Sequence, residues 1–449
     1  MGVLERRSAQ PNAYSRSDTT WHIKSLAADR TILVSPAELL VKIGAIGAGR
    51  GYELTSAQEY DLNIAATWDT QTPTDYTVAA NRAGKDFYIY ACVPVSGTAP
   101  KILISDASTW PSGYDANNSR KIGGFHCLPY VTAPTWAADT VTTVNYVVQP
   151  VTPGATKLLY RCTSRAGDFK TDAATEPTWP TTPGETVVDD QVTWTCDLNG
   201  CENLVQGTDP YYGFLMGDII FNSIWDLLDR PKSTPEGMVK LSLTPSDGIP
   251  ALRSDIYMAN GVGATITSVF GATIKVSVPY ETLTTYGHLQ GKRMLFDSEF
   301  LKAATGSPVG TCVAGAVNPT ISNFPLDSTG KSIISHYGVI GATGTLEQYL
   351  EDNMSEFGTA AVHTHQVVVS GDPQTVTSGN ASANVAPANA WQASLGRGQI
   401  YSQGIAAIQK MLGGGIPTFA AYCGPAYRRP GSRGTAAVYQ TTRFCSEPV

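Results

Sequence analysis

The sequence predicts a mostly β protein with an α+β C-terminal domain, and three observations carry that expectation. Of its 449 residues only 15% are charged and 42% are hydrophobic, the balance of a globular chain that buries cores. Glycine (43 residues) and proline (28) punctuate it throughout. Short runs of β-branched and aromatic residues recur between those breaks, the pattern of strands joined by many turns. A chain of this length divides into about two to four domains, each large enough for a core of its own.

Residues 1–26 are polar and irregular, with no amphipathic period, and read as a segment that stays flexible or docks onto a larger assembly. Residues 27–130 change to strands at Thr31–Val34, Leu39–Ile43, Tyr60–Ala65, Phe87–Cys92 and Lys101–Ile104, and are expected to form one β-sandwich or barrel. Residues 131–205 are rich in Thr, Pro and Trp and read as a small inserted β module. Its Trp136 and Trp179 could stack on sugar rings, although in so small a module aromatics also build the core.

Residues 206–449 mix helices with strands. Pro279 starts a helix expected over Tyr280–Gln290. A second helix is expected over Ser298–Ala304, capped by Asp297 or Ser298 and burying Phe300 and Leu301. The stretch from Asp218 to Leu228 fits either period. The Val-, Ser-, Thr-, Asn- and Ala-rich run over 367–390 reads as a surface excursion.

Charge and cysteine content exclude several functions. A net charge of -7 without a long basic run argues against coating a nucleic acid. No apolar run reaches bilayer length and residues 1–26 lack a signal-peptide pattern, so synthesis in a cytosol without export by that route is expected. Eight widely spaced cysteines favour reduced, buried thiols over a disulfide framework.

The last stretch concentrates binding chemistry. After Gly413-Gly414-Gly415 come Phe419, Tyr422, Tyr427, Arg428, Arg429, Arg433, Tyr439 and Arg443, set among small and polar residues. Aromatics and arginines bind through rigid area, stacking and forked hydrogen bonds, so the segment reads as a displayed binding surface. The alternative is a terminal hairpin whose tyrosines are half-buried.

Several short pieces, in order, resemble the phage major tropism determinant family of receptor-binding tail proteins. They include Ala83-Gly84-Lys85-Asp86-Phe87-Tyr88-Ile89-Tyr90-Ala91-Cys92, Pro111-Ser112-Gly113-Tyr114 and Arg120-Lys121-Ile122-Gly123-Gly124-Phe125-His126. Further along they are Trp225-Asp226, Arg230-Pro231, Pro235-Glu236-Gly237-Met238, Asp255-Ile256-Tyr257, Gly291-Lys292-Arg293, Glu299-Phe300, Tyr337-Gly338-Val339, Gly344-Thr345-Leu346, and Arg443 with Cys445. The segment from Tyr160 to Cys196 is also similar to a repeat-like module of phage tail fibres.

The family resemblance implies a β-sandwich, then a C-type lectin-like domain, in a homotrimer. It implies a virion tail or tail-fibre protein, joined to other tail proteins and attached to a host-cell receptor; the aromatic and arginine residues suit a host surface glycan, lipopolysaccharide or pilus in that place. The family's binding segment lands on Ile416 to Tyr439, so Phe419, Tyr422, Tyr427, Arg428, Arg429, Arg433 and Tyr439 are the implied receptor-binding residues. Two departures stand out. The family's N-terminal prism domain has no clear counterpart, which leaves residues 1–26 as the expected attachment segment, and Leu346-Glu347-Gln348-Tyr349 replaces a Leu-Trp-x-Trp motif.

No catalytic residue, cofactor or metal is expected. The lectin scaffold also serves formylglycine-generating enzymes, whose copper needs two close thiols; Cys423 and Cys445 would qualify only on neighbouring strands. Glu347, Glu351, Asp352 and Glu356 fall at helical spacing and more simply mark an exposed face than a glycosidase pair. His363 and His365 alternate on a strand and are weak candidates for a metal. Between Gly413 and Val449 the one acid is Glu447, too few carboxylates for calcium-mediated sugar binding. The competing readings are a structural tail or baseplate subunit and a polysaccharide depolymerase.

Overall fold

Alternating burial is set early: in Leu39–Ile43, Leu39, Val41 and Ile43 point inward while Leu40 and Lys42 are only half-buried, the period-two pattern of a strand with one wet face. The computed structural model describes residues 30–35, 39–44, 49–69, 74–131, 133–152, 154, 158–197, 200–241, 252–354, 409–418, 423–431 and 437–449, residue 23, and short strands at 13–14, 24–25, 364–367 and 399–402. The excursion expected at 367–390 lies outside them, apart from Val367 at the end of a strand.

The chain divides into two units. The first comprises residues 1–129, 216–253 and 447–449; the second comprises 130–215 and 254–446. The expected division near residue 205 is therefore displaced, because the chain returns to its first unit at Met216. That return has a physical cause: Trp225–Asp226 adds an edge strand to Ser119–His126, with Trp225 opposite Gly124. A Cβ on Gly124 would lie 2.7 Å from the Trp225 indole nitrogen, so only glycine admits that ring.

In the first unit the four-stranded sheet runs Trp225–Asp226, Ser119–His126, Asp86–Cys92, Lys101–Ser105. Two three-stranded sheets also belong to the unit. One has Leu39–Ile43 between Ala13–Tyr14 and Arg50–Leu54; the other has Ile32–Val34 between Lys24–Ser25 and Glu59–Asp61. The N-terminal segment thus contributes edge strands. Leu39, Val41, Ile43, Leu62, Trp68, Phe87, Ile89 and Phe125 share one core. The expected strand through Ala65 stops at Asp61 and gives way to a 3-10 turn at Ala65–Thr67. The ambiguous 218–228 stretch resolves into a 3-10 turn, Phe221–Ser223, and the short Trp225–Asp226 strand.

In the second unit the inserted module is a four-stranded antiparallel sheet, ordered Val147–Val148, Leu159–Arg165, Val192–Asp197, Thr186–Asp189. Larger is a six-stranded sheet with Gly424–Gly431, Gln409–Gly414 and Glu347–Met354 adjacent and Gln440–Thr442 at one edge, parallel to Glu347–Met354. Helices Tyr280–His288 and Asp297–Ala303 belong to this unit and bury Leu283 and Phe300. The second helix begins one residue earlier than expected. Its N-cap is Phe296, whose backbone N–H donates to Glu299 Oε2 at 2.8 Å.

The acids expected at helical spacing correct to a strand: Glu347, Glu351 and Asp352 all lie on Glu347–Met354, and Glu356 is outside the described residues. Among the described residues no helix is long and apolar enough to cross a membrane.

Candidate functional site

The C-terminal segment is built on Gln409–Gly414 paired antiparallel with Gly424–Gly431, Leu412 facing Arg429 and Gly413 facing Arg428. Close packing explains the glycine triplet. A Cβ on Gly413 would sit 2.9 Å from the Phe300 ring, and Gly414 and Gly415 adopt φ of 90° and 80°, a region that side chains avoid. The triplet seats a sheet on a helix.

Two expected receptor contacts are corrected by burial. The Tyr427 side chain is fully buried and its hydroxyl donates to Glu347 Oε1 at 3.2 Å. Arg428 is 5% exposed; it is ion-paired with Asp297, donates to the carbonyls of Pro425 (2.6 Å) and Tyr427 (2.7 Å), and lies 5.2 Å from the Phe300 ring centre. Burial pulls its guanidinium downward and the Asp297 charge opposes that shift. Both side chains hold the strand and cannot meet a ligand as placed.

Of the other expected contacts, Tyr439 is half-buried against Met258, Ile274 and Leu346. Val438 beside it is 66% exposed. Phe419, Tyr422 and Arg433 lie outside the described residues, as does the side chain of Arg429.

Arg443 anchors the neighbouring edge. It is 1% exposed and donates to the carbonyl of Asp255 at 2.9 Å, that of Ile340 at 2.7 Å, that of Ile256, and Gln348 Oε1 at 3.2 Å. Glu347 and Gln348, standing where the resemblance expected Trp-x, are both buried. Each takes a polar partner, Tyr427 or Arg443, so hydrogen bonds occupy a place that the motif would fill with indole. Sequence spacing could not reveal these pairs: Glu347 and Tyr427 are 80 residues apart, Asp297 and Arg428 131.

Trp136 and Trp194 belong to the module's core. Trp136 is 7% exposed, and its indole nitrogen, like that of Trp194, donates to the buried Asp189 carboxylate, at 2.8 and 2.9 Å. Trp136 as a sugar platform is therefore corrected. Trp179 is half-buried, its ring centre 4.2 Å from that of Tyr160 and its nitrogen 2.7 Å from Glu176 Oε1.

Cys423 and Cys445 are separate buried thiols, directed at the carbonyls of Ile416 and Met294. Burial pushes the Cys423 thiol well up. Glu351 accepts from the Tyr280 hydroxyl at 3.1 Å. His363 and the side chain of His365 lie outside the described residues, and among the described residues no cluster of metal-ligating side chains occurs.

Residues 46–149 match the family model of the Mtd second domain. Among solved structures the chain is similar to the Major Tropism Determinant M1 variant, at 16% identity and a TM-score of 0.54, over 99% of this chain and 88% of that one. The U1 variant aligns at 17% identity and the same TM-score, over 98% and 86%. The I1 variant gives 16%, 0.54, 99% and 88%. No curated protein matches. Residues 46–149 are thus similar to the Mtd second domain, and over nearly its whole length the chain has the mostly β fold of the Major Tropism Determinants.

Proposed function

We propose that this chain is a phage tail receptor-binding protein that attaches the virion to a host-cell surface receptor through its C-terminal lectin-like surface, without catalysis. One observation carries the reading: on a fold shared with tropism determinants, Tyr427 and Arg428 are locked inward by Glu347 and Asp297. A scaffold fixed from within tolerates change in the residues it displays. Contact then falls to Phe419, Tyr422, Arg429, Arg433 and the exposed edge of Tyr439. Aromatic and arginine side chains suit a surface glycan, lipopolysaccharide phosphate or pilus protein. A homotrimer would multiply weak single sites into firm adhesion, and residues 1–26 would join other tail proteins.

The test is direct. Fluorescently labelled full-length protein is applied to cells of the phage's host and to cells stripped of pili or O-antigen. Saturable binding lost on one stripped strain supports the proposal. Absence of binding to any host cell, or release of reducing ends from host glycan, overturns it.

A further inference from the structure

The first unit holds a cleft of about 530 Å³ whose walls include Arg120, Lys121, Trp225, Arg230, Lys232 and Glu236. Four of those side chains are cations and one is a carboxylate, and Val449 lines the cleft as well. Arg120 and Lys121 come from the Ser119–His126 strand, and Trp225 from the edge strand paired with it. Arg230 and Lys232 follow on the next turn. Backbone bonds fix that wall, since Val449 N donates to Arg230 O at 3.1 Å and Lys232 N to Glu447 O at 2.8 Å.

The Glu236 carboxylate is engaged through one oxygen, while its Oε2 is buried with no hydrogen-bond partner among the described residues. Glu236 is hydrogen-bonded to the Tyr88 hydroxyl and faces Lys121, whose ammonium lies 4.1 Å from the Tyr88 ring centre. Arg120 and Arg230 are both half-buried and close enough to repel: burial lowers the Arg120 pKa, and the Arg230 charge lowers it further. The Nε of Arg230 is buried with no acceptor among the described residues. Two like charges gathered in a cleft, one with an unused donor, suit a missing oxyanion, because a guanidinium fork matches a tetrahedral anion's oxygens. A cavity of this size falls within the roughly 300–1,000 Å³ of small-ligand sites and exceeds what a bare anion fills.

We propose that this cleft is a binding site for a phosphate group, free or carried on a sugar, gripped by Arg230 and Arg120 with Lys232 at the rim. It shares no residue with the C-terminal surface, so its failure would leave the receptor reading intact.

Isothermal titration of the full chain in chloride buffer with inorganic phosphate, glucose 6-phosphate and glucose tests it. Both phosphates should bind and glucose should not; tighter binding of the sugar phosphate identifies a sugar-borne group, and equal affinity a free one. Arg230→Gln should weaken phosphate at least tenfold with circular dichroism unchanged. Should that variant fail to fold, Lys232→Gln at the exposed rim should weaken phosphate at least threefold. Absence of phosphate binding, or unchanged affinity in whichever variant folds, overturns the proposal.

Discussion

The Tyr427 hydroxyl donates to Glu347 Oε1 at 3.2 Å, and neither side chain is exposed. A tyrosine placed in the binding segment by sequence is thus a peg between two strands of the six-stranded sheet. Tyr427→Phe should destabilise the protein by about 1–3 kcal/mol by leaving a buried carboxylate oxygen short of a donor. Tyr427→Ala should cost about 3–5 kcal/mol through the added cavity. Urea unfolding midpoints check both.

Arg443 joins three backbone carbonyls to Gln348 from a fully buried position. Arg443→Ala should cost about 3–5 kcal/mol, since it strands several buried acceptors. Arg443→Lys should not rescue it, because an ammonium cannot reproduce the planar fork. Thermal unfolding of the two variants, compared with the parent, reads the difference.

Gly414 has φ of 90°, and a Cβ there would lie 2.4 Å from the Ala342 carbonyl oxygen. Gly414→Ala should therefore destabilise by more than the ~1 kcal/mol of an ordinary glycine replacement. Loss of soluble, cooperatively unfolding protein is the expected result. Gly97 also has positive φ but faces open space, so Gly97→Ala should be milder.

Asp209 makes part of the stability acid-sensitive. Burial works to raise its pKa, but the His336 hydrogen bond (2.8 Å), the Val205 N–H and Lys331 outweigh it, and the net shift is downward. A carboxylate held lower in the folded state stabilises fully above its unfolded pKa of about 3.9, and that contribution is lost as pH falls through the lower folded value. Asp209→Asn should flatten the unfolding midpoint's dependence on pH below about 4 and be least stable, relative to the parent, near neutrality. Denaturant midpoints measured from pH 2 to 7 check this.

Much of the fold was legible because local pattern and tertiary demand agree. Leu39–Ile43 is a short aliphatic run bounded by turn residues and forms a strand of alternating burial, and Pro279 starts the helix at Tyr280. Legibility failed where a distant partner decides. Nothing near Tyr427 indicates that Glu347 waits 80 residues away, and helical spacing of Glu347, Glu351 and Asp352 is overridden by pairing with Gln409–Gly414 and Gln440–Thr442. Trp136 carried stacking chemistry in sequence, yet Asp189 claims it for the module's core, while Trp179 stays half-buried against Tyr160. Arg120 and Arg230 meet only because the chain returns at Trp225 to pair with Gly124.

Receptor attachment through the C-terminal segment is tested most directly by adsorption of a Phe419→Ala, Tyr422→Ala, Arg433→Ala variant to host cells, measured by flow cytometry on labelled protein. The predicted result is at least a tenfold loss of cell binding with an unchanged thermal unfolding midpoint. Undiminished binding by the folded variant would contradict the account.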